Sequence, residues 1–195
     1  MYAKISRLFE LVNEPNQTNL SKLYCDNKEL FSLVQGSTNN HQNWQGGYMD
    51  HVTEVLNLAV VLYQTLNNAR PLDFSLSDAI LTLALHDIEK PWKYQVGENG
   101  QLDVIPELLS KEAQHSFRNA KLAEYGIVLN AEQRNALRYV EGELAEYSSR
   151  NRVMNPLAAF CHMCDVASAR IWFDCPKPSN DPWCGALRSN LPGEK

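Results

Sequence analysis

The sequence predicts an all-α fold, on three observations. Apolar residues recur at helical spacing over nearly the whole chain. A single passage, near residue 95, has the character of β-strands. No internal repeat, low-complexity tract or long linker divides the 195 residues, and this length suits one domain with one hydrophobic core. We therefore expect helices packed around a shared core.

Each predicted element follows from the spacing of its apolar residues. In chain order the elements are an amphipathic helix over 5–12, one or two short helices over 20–34, a polar loop over 36–47, a long buried helix over 48–66, a helix over 75–87, a small β-hairpin with strands at 94–96 and 101–104, and helices over 106–125, 131–147 and 156–173. Asp73, Ser75 or Ser77 is expected to cap the helix over 75–87. Pro91 ends that segment because proline cannot continue a helix.

The domain prediction assigns residues 1–173 to the helical domain and residues 174–195 to an irregular C-terminal tail. The tail is predicted to be irregular because it holds four prolines, Pro176, Pro178, Pro182 and Pro192. The apolar runs are too short to cross a bilayer, and residues 1–7 do not lead into a signal-peptide core. We therefore expect a soluble, cytoplasmic protein with no membrane partner.

The charge balance limits the ligands that the protein can take. The chain has 18 Lys+Arg and 23 Asp+Glu, which gives a formal net charge of −5. This excludes a strongly basic nucleic-acid wrapper, and a long nucleic acid is not expected as the main ligand, because polyanion binding uses many Lys and Arg contacts. A small anionic substrate remains compatible, since a bound metal can supply local positive charge.

The five cysteines do not indicate a disulfide framework. Their number is odd and their spacing is uneven, so they are interpreted as free thiols. Cys161 and Cys164 form a CxxC pair, but Cys175 and Cys184 are too far apart to give the second close pair of a structural zinc site. We expect Cys161 and Cys164 to be small buried residues of a helix.

Polar residues of metal-ligand type occur inside two apolar helical segments. His86 and Asp87 follow the uncharged run 79–85, and Asp165 lies within the apolar segment 157–167. A carboxylate in such a segment needs a cation, a strong set of hydrogen bonds or a proton. A shared metal and separate salt bridges to Arg or Lys are both open interpretations of these residues.

Three short segments together resemble the HD-domain metal-dependent phosphohydrolase superfamily. They are GGYMDHV at 46–52, LHDIEKP at 85–91 and HMCD at 162–165. The superfamily signature is a histidine, then a His-Asp pair, then a distant aspartate, in this order. The resemblance covers about 40–172 and implies a single HD-type helical bundle. Its implied metal ligands are His51, His86, Asp87 and Asp165.

The resemblance also implies a function. Two imidazoles and two carboxylates suit a divalent transition metal, which could be Mn²⁺, Co²⁺, Ni²⁺, Fe²⁺ or Zn²⁺. The implied activity is hydrolysis of phosphate esters, in nucleotides or similar small phosphorylated substrates, by metal-activated water. The partner is then the small substrate, and the oligomeric state stays open, with a homo-oligomer among the options.

Lys90 and Glu89 are candidate catalytic residues beside the His-Asp pair. Lys90 lies three residues after Asp87 and can reach a substrate phosphate, unless it is a surface lysine. A lysine occupies this place in relatives with an HDIxK motif. Glu89 is interpreted as a general acid/base or as a partner that orients His86. Some nucleotidase relatives place their catalytic glutamate one residue later, where this chain has Lys90.

His115 is the third candidate catalytic residue. Relatives with two metals carry an extra histidine ligand near this position, and then usually a further histidine before the final aspartate. Here Glu141 stands where that second histidine is expected. Either Glu141 replaces the imidazole, or one metal is bound and His115 contacts substrate phosphate. We prefer the second interpretation.

Other interpretations follow from the same residues. A nuclease acting on short single-stranded nucleic acid is one alternative, and an HD-type di-iron oxygenase that uses His115 as a ligand is another. A binding module with a degenerate site is a third, which the complete set of ligands disfavours. His41 is expected either to line the pocket or to be a solvated loop residue, and His162 to be a hydrogen-bonded core histidine.

Overall fold

The computed structural model describes residues 3–37, 41–96 and 102–173 and confirms the all-α prediction. The helices are α1 (Ile5–Phe9), α2 (Asn16–Asp26), α3 (Lys28–Leu33), α4 (Gly47–Ala69), α5 (Leu76–Leu85), α6 (Lys90–Lys93), α7 (Lys111–Glu124), α8 (Ala131–Tyr139) and α9 (Pro156–Ile171). Within the described residues, none of these helices combines the length and apolar character needed to cross a membrane. The predicted tail, residues 174–195, lies outside the described residues.

The predicted hairpin is present. Strands β1 (Tyr94–Val96) and β2 (Leu102–Val104) pair antiparallel, with Tyr94 opposite Val104. The residues that connect them, 97–101, lie outside the described part of the chain. The hairpin directly follows α6, so it lies next to the segment that carries the His-Asp pair.

Helix α4 is the centre of the bundle. It packs against α5 and α9, and α8 packs against α9 and α5. Every residue of 79–85 in α5 is buried, which explains why this segment carries no charge. The first half of α4 is also buried, although it contains polar residues such as His51 and Glu54. Burying a side chain such as Leu56 or Leu83 contributes about 1.5–3 kcal/mol to stability.

A series of aromatic contacts holds the N-terminal helices against the start of α4. Tyr24 makes edge-to-face contacts with Phe9 and Phe31, and Phe31 makes the same kind of contact with Tyr48 and with Trp92. Such contacts contribute about 0.5–1.5 kcal/mol each beyond the area that they bury. They fix the first turn of α4 relative to α6.

The helix predicted over 75–87 ends two residues early. Ser75 is its N-cap, as expected, and forms a capping box with Asp78. Regular helix stops at Leu85, and His86 to Glu89 form a turn before α6. The reason is Pro91, because a continuous helix would place its ring against the carbonyl of Asp87. The His-Asp pair therefore lies on a turn.

Two further predicted helices are shorter than expected. The segment 106–125 begins with a 3₁₀ turn at Pro106–Leu108, and α7 then starts after its N-cap Ser110. The segment 131–147 leaves helical geometry after Tyr139, because Gly142 takes a φ of 103°. A 3₁₀ turn at Leu144–Glu146 follows.

The loop before α4 depends on the absence of a side chain at Gly47. The Gly36 and Gly47 backbone N–H groups donate to the carbonyls of Gln42 and Trp44, at 3.0 and 2.8 Å. A Cβ atom on Gly47 would lie 1.9 Å from the Gln42 carbonyl oxygen. The loop can therefore pack onto the first turn of α4 only with glycine at this position.

We expect Gly47→Ala to lower the free energy of unfolding by about 3 kcal/mol, because the Gln42 backbone must move away. Urea denaturation measures this change. Gly126→Ala is the control, since its added Cβ meets only the Asn19 side chain at 3.4 Å and its φ of +68° costs about 1–2 kcal/mol. Equal losses in the two variants would contradict the close approach.

Candidate metal centre

The four predicted ligands come from three elements that pack together. His51 lies in the second turn of α4, His86 and Asp87 lie in the turn after α5, and Asp165 lies on α9. Because α4 contacts both α5 and α9, the four side chains meet in the bundle interior.

Their ligand atoms surround one point. His51 Nε2 lies 3.2 Å from His86 Nε2 and 3.2 Å from Asp165 Oδ1. Asp87 Oδ2 lies 3.2 Å from His86 Nε2 and 3.7 Å from His51 Nε2, and Asp165 Oδ1 lies 3.6 Å from His86 Nε2. Atoms bound at about 2.1 Å to one ion lie about 3.0 Å apart at a right angle and about 3.4 Å apart at a tetrahedral angle. The donor set therefore fits a transition metal.

Among the described residues, His51, His86 and Asp165 form one group of metal-ligand side chains whose atoms all lie within 4.8 Å of one another. Asp87 is not part of this group, but its Oδ2 contacts both imidazoles, so it remains the fourth proposed ligand. His51, His86 and Asp87 are buried, and the Asp165 side chain retains 17% of its exposure. Asp165 is thus the most accessible of the four.

Hydrogen bonds orient both imidazoles. His86 Nδ1 lies 2.6 Å from the Leu83 carbonyl oxygen, to which it donates, so its Nε2 faces the other ligands. His51 Nδ1 lies 3.1 Å from Ser168 Oγ, which leaves its Nε2 facing the same point. This arrangement is typical of metal-binding histidines, whose second nitrogen is usually held by a protein acceptor.

The two histidines differ in charge. Burial lowers the pKa of His51, and the Asp165 carboxylate offsets this only in part. Burial also acts to lower the pKa of His86, but the carboxylates of Asp87 and Asp165 raise it well above the ordinary value. His86 therefore carries the positive charge of the two histidines. Its Nε2–H faces His51 Nε2, Asp87 Oδ2 and Asp165 Oδ1.

The two carboxylates are held in the ionised form. Burial acts to raise the pKa of Asp87, but Lys90 and His86 hold it well below its usual range. Burial acts in the same way on Asp165, whose pKa is lowered by its contacts with His51 and His86. Both aspartates are thus available as anionic ligands at neutral pH.

Lys90 lies at the centre and not on the open surface. Its Nζ is 2.5 Å from Asp87 Oδ2 and 2.9 Å from the Gly36 carbonyl oxygen, and its side chain retains 16% of its exposure. Burial acts to lower the pKa of Lys90, but Asp87 raises it above the ordinary value. The ammonium group therefore stays charged next to a predicted metal ligand.

Glu89 is buried in a different environment. Its Oε2 has no hydrogen-bond partner among the described residues and lies 3.9 Å from Arg118 Nη1. Burial raises the pKa of Glu89, although Arg118 opposes this. The Leu83 carbonyl, and not Glu89, orients the His86 ring, so the geometry favours the acid/base interpretation of Glu89.

His115 lies in a neighbouring cavity. This cavity has a volume of about 560 Å³, and its lining includes His115, Arg118, Tyr139 and Glu141. Glu141 pairs with Lys111 at 2.5 Å and is exposed. Burial lowers the pKa of His115, as do the cations Arg118 and Lys111. The group of ligand atoms found among the described residues does not include His115.

The other two histidines, His41 and His162, occupy different environments. His41 lies beside the centre, with its ring centroid 4.7 Å from that of His51 and its Nδ1 2.6 Å from Gln42 Oε1. Burial lowers the pKa of His41 to about 4, and His51 contributes to this shift. Of the two options for His41, the structure therefore favours the one in which it lines the site. His162 Nδ1 donates to the Val140 carbonyl at 2.6 Å, so it is hydrogen-bonded as predicted, but it is half-buried and does not lie in the core.

None of the three described cysteines belongs to the group of ligand atoms at the centre. Cys161 and Cys164 are free and buried, as predicted, and burial raises the pKa of both thiols. Such thiols are poor metal ligands, because the ligand is the thiolate. Cys25 is free but exposed, and Cys175 and Cys184 lie outside the described residues.

Sequence reasoning missed the residues around His51. Ser168, Glu54 and Gln42 are buried and hydrogen-bonded to one another next to the His51 ring. A local signal existed, since Glu54 lies one helical turn after His51 and Ser168 one turn after Asp165.

Comparison of the chain with protein-family models, with curated proteins and with solved structures gives no match. Nothing in these comparisons identifies a family, so the proposals below rest on the geometry of the centre.

We expect metal binding to release about one proton per chain at pH 7, because the metal must displace the proton on His86 Nε2. Calorimetric titration with Zn²⁺ in buffers of different ionisation enthalpy measures the number of protons. Since the pKa of His86 is raised, the apparent affinity should increase as the pH rises above the ordinary histidine value of about 6.5.

The control is His162→Gln, because His162 hydrogen-bonds to Val140 outside the ligand set. This variant should release the same number of protons as the wild type. Binding without proton release in the wild type would show that His86 is neutral before the metal arrives.

Proposed function

We propose that this protein is a cytoplasmic, divalent-metal-dependent phosphohydrolase that acts on nucleotides or similar small phosphate esters. The observation that carries the proposal is the convergence of two imidazoles, two carboxylates and the Lys90 ammonium on one buried point. His51, His86, Asp87 and Asp165 would hold the metal, and Mn²⁺, Fe²⁺, Co²⁺, Ni²⁺ and Zn²⁺ all suit this donor set.

The charges of the centre favour an anionic substrate. The two aspartates balance the 2+ charge of a metal, and both histidines are neutral once they act as ligands. The Lys90 ammonium then lies beside the ligands as a cation that can contact a phosphate group.

When bound, the metal supplies Lewis acidity and lowers the pKa of a coordinated water. Lys90 is placed to contact the phosphate, because its ammonium already lies within hydrogen-bond distance of a ligand carboxylate. Glu89, whose pKa is raised by burial, is proposed to give a proton to the leaving oxygen. Its Oε2 is not engaged by any hydrogen bond among the described residues.

The neighbouring cavity is proposed to receive the organic part of the substrate. Its volume of about 560 Å³ lies within the usual range for small-molecule sites, about 300–1,000 Å³. Arg118 links the cavity to the centre, because it lines the cavity and donates to the His86 carbonyl at 2.7 Å. His115 faces this cavity and is proposed to contact the substrate.

The geometry gives less support to the two alternative enzymes. A di-iron oxygenase needs His115 and a further residue as ligands of a second metal, whereas Glu141 is paired with Lys111. A nuclease acting on short single strands shares the same centre and differs in substrate length. A net charge of −5 favours the smaller substrate.

We expect phosphate release from at least one nucleotide or small phosphate ester when the protein is screened with each of several divalent metals. Asp165→Asn should lose both metal retention and hydrolysis, because it removes an anionic ligand. Asp26→Asn is the control, since Asp26 pairs with Lys22 on the surface, and it should keep both properties.

Metal analysis of the same samples separates the alternatives. About one metal per chain with phosphate release supports the mononuclear hydrolase. Two irons per chain, lost on His115→Ala and accompanied by oxygen uptake, would favour the oxygenase. Wild-type turnover in Asp165→Asn would show that the reaction occurs elsewhere.

Lys90→Met should separate substrate binding from metal binding. We expect kcat/KM to fall by about tenfold to a thousandfold, because a charged phosphate contact is lost. Metal affinity should increase, because the ammonium no longer competes for Asp87. Lys93→Met, on the same short helix, is the control and should change neither quantity. Weaker metal binding in Lys90→Met would contradict this role.

A further inference from the structure

We propose that Ser168 and Glu54 are positioning residues that set the tautomer of His51 and so present its Nε2 lone pair to the metal. The inference rests on the proposed function in one respect, namely that this centre binds a metal. It adds a second pair of residues, from α4 and α9, on which the metal affinity depends.

The Ser168 hydroxyl has a single proton, which it can donate to one acceptor. Ser168 Oγ lies 2.7 Å from Glu54 Oε2, and the hydroxyl donates its proton to that carboxylate. The lone pairs of the same oxygen then face His51 Nδ1, 3.1 Å away. Since a hydroxyl has one proton, His51 must be the donor in this second contact.

The proton on Nδ1 leaves Nε2 of a neutral imidazole without one. Nε2 is the nitrogen that lies 3.2 Å from His86 Nε2 and 3.2 Å from Asp165 Oδ1. Its lone pair therefore points at the site where the metal is expected. The hydrogen bonds to Ser168 and Glu54 select the tautomer that a metal ligand requires.

Gln42 holds the carboxylate and the serine in place from the other side. Its Nε2 lies 3.3 Å from Glu54 Oε2 and 3.3 Å from the Ser168 carbonyl oxygen. All three residues are buried, so their hydrogen bonds act in a medium of low dielectric constant. The loop before α4 thus helps to orient a ligand on α4.

The two histidines are held by different acceptors. His86 Nδ1 donates to the backbone carbonyl of Leu83. Any residue at position 83 would provide this acceptor. His51 Nδ1 instead donates to a side chain, the Ser168 hydroxyl, which in turn donates to the Glu54 carboxylate. A carboxylate behind the acceptor raises the basicity of the imidazole and strengthens it as a ligand.

Asp165 competes for the proton of His51. Its Oδ1 lies 3.2 Å from His51 Nε2 and can accept a hydrogen bond from the alternative tautomer. Without the Ser168 hydroxyl, Nδ1 loses its acceptor and the proton is expected to move to Nε2. Binding of a metal then requires the imidazole to change tautomer first, which lowers the affinity.

The experiment uses the full chain with ¹⁵N-labelled histidine, and two-bond ¹H–¹⁵N spectra of the metal-free protein report the tautomer of His51. We expect the Nδ1–H form in the wild type and a shift toward the Nε2–H form in Ser168→Ala. The Zn²⁺ affinity of Ser168→Ala, from competition with a chromophoric chelator, should fall by about 10–100-fold. Glu54→Gln should weaken Zn²⁺ less, because the amide oxygen can still accept from Ser168.

Ser75→Ala is the matched control. It also removes one hydroxyl hydrogen bond, at the N-cap of α5 and away from the centre. Its thermal stability should fall by a similar amount, while the His51 tautomer and the Zn²⁺ affinity should remain those of the wild type. This comparison separates a positioning role from a general loss of stability.

An Nδ1–H form of His51 in Ser168→Ala, together with unchanged Zn²⁺ affinity, would overturn the proposal. If Ser168→Ala does not fold, the Zn²⁺ affinity of Glu54→Gln decides, and a wild-type affinity would again overturn it. A wild-type protein that binds Zn²⁺ but hydrolyses no phosphate ester would refute the proposed function and leave this inference standing.

Discussion

Burial of two carboxylates beside two imidazoles is the constraint on which the rest of the structure depends. An unpaired ion in a protein interior is destabilising by several kcal/mol, so each charge here needs an opposite charge within contact distance. His86 contacts both Asp87 and Asp165, and Lys90 contacts Asp87. These contacts keep the aspartates ionised inside a bundle whose core is mainly apolar.

The loop before α4 joins this charged centre to the helices around it. Its Gly36 carbonyl accepts from Lys90, its His41 ring lies against His51, and its Gln42 donates to residues of α4 and α9. The close approach of this loop to Gly47 makes these contacts compatible with the start of the helix. Several residues of this polar loop are therefore buried, because they contact the centre and the helices that carry it.

Much of the fold and the four proposed ligands could be predicted from the sequence. Helical periodicity identified the helices because each buries one or more apolar faces, and the errors fell at their ends, where Pro91 and Gly142 change the backbone. His86, Asp87 and Asp165 stood out because charged groups are rare in apolar helical segments. The structure brings them together with His51, as the resemblance to the HD-domain superfamily implies.

The tertiary structure alone decided which polar residues support those ligands. Glu54 and Ser168 are 114 residues apart, and Lys90 meets Gly36 across 54 residues. Local spacing can place Glu54 on the same helix face as His51, but it cannot show which distant residue either side chain contacts. His115, a candidate from sequence, lies in the neighbouring cavity, while His41 contacts His51. The spacing of apolar residues within one segment is enough to predict which face of that segment is buried. Hydrogen bonds between distant polar side chains depend on how the helices and the loop pack, which only the three-dimensional structure contains.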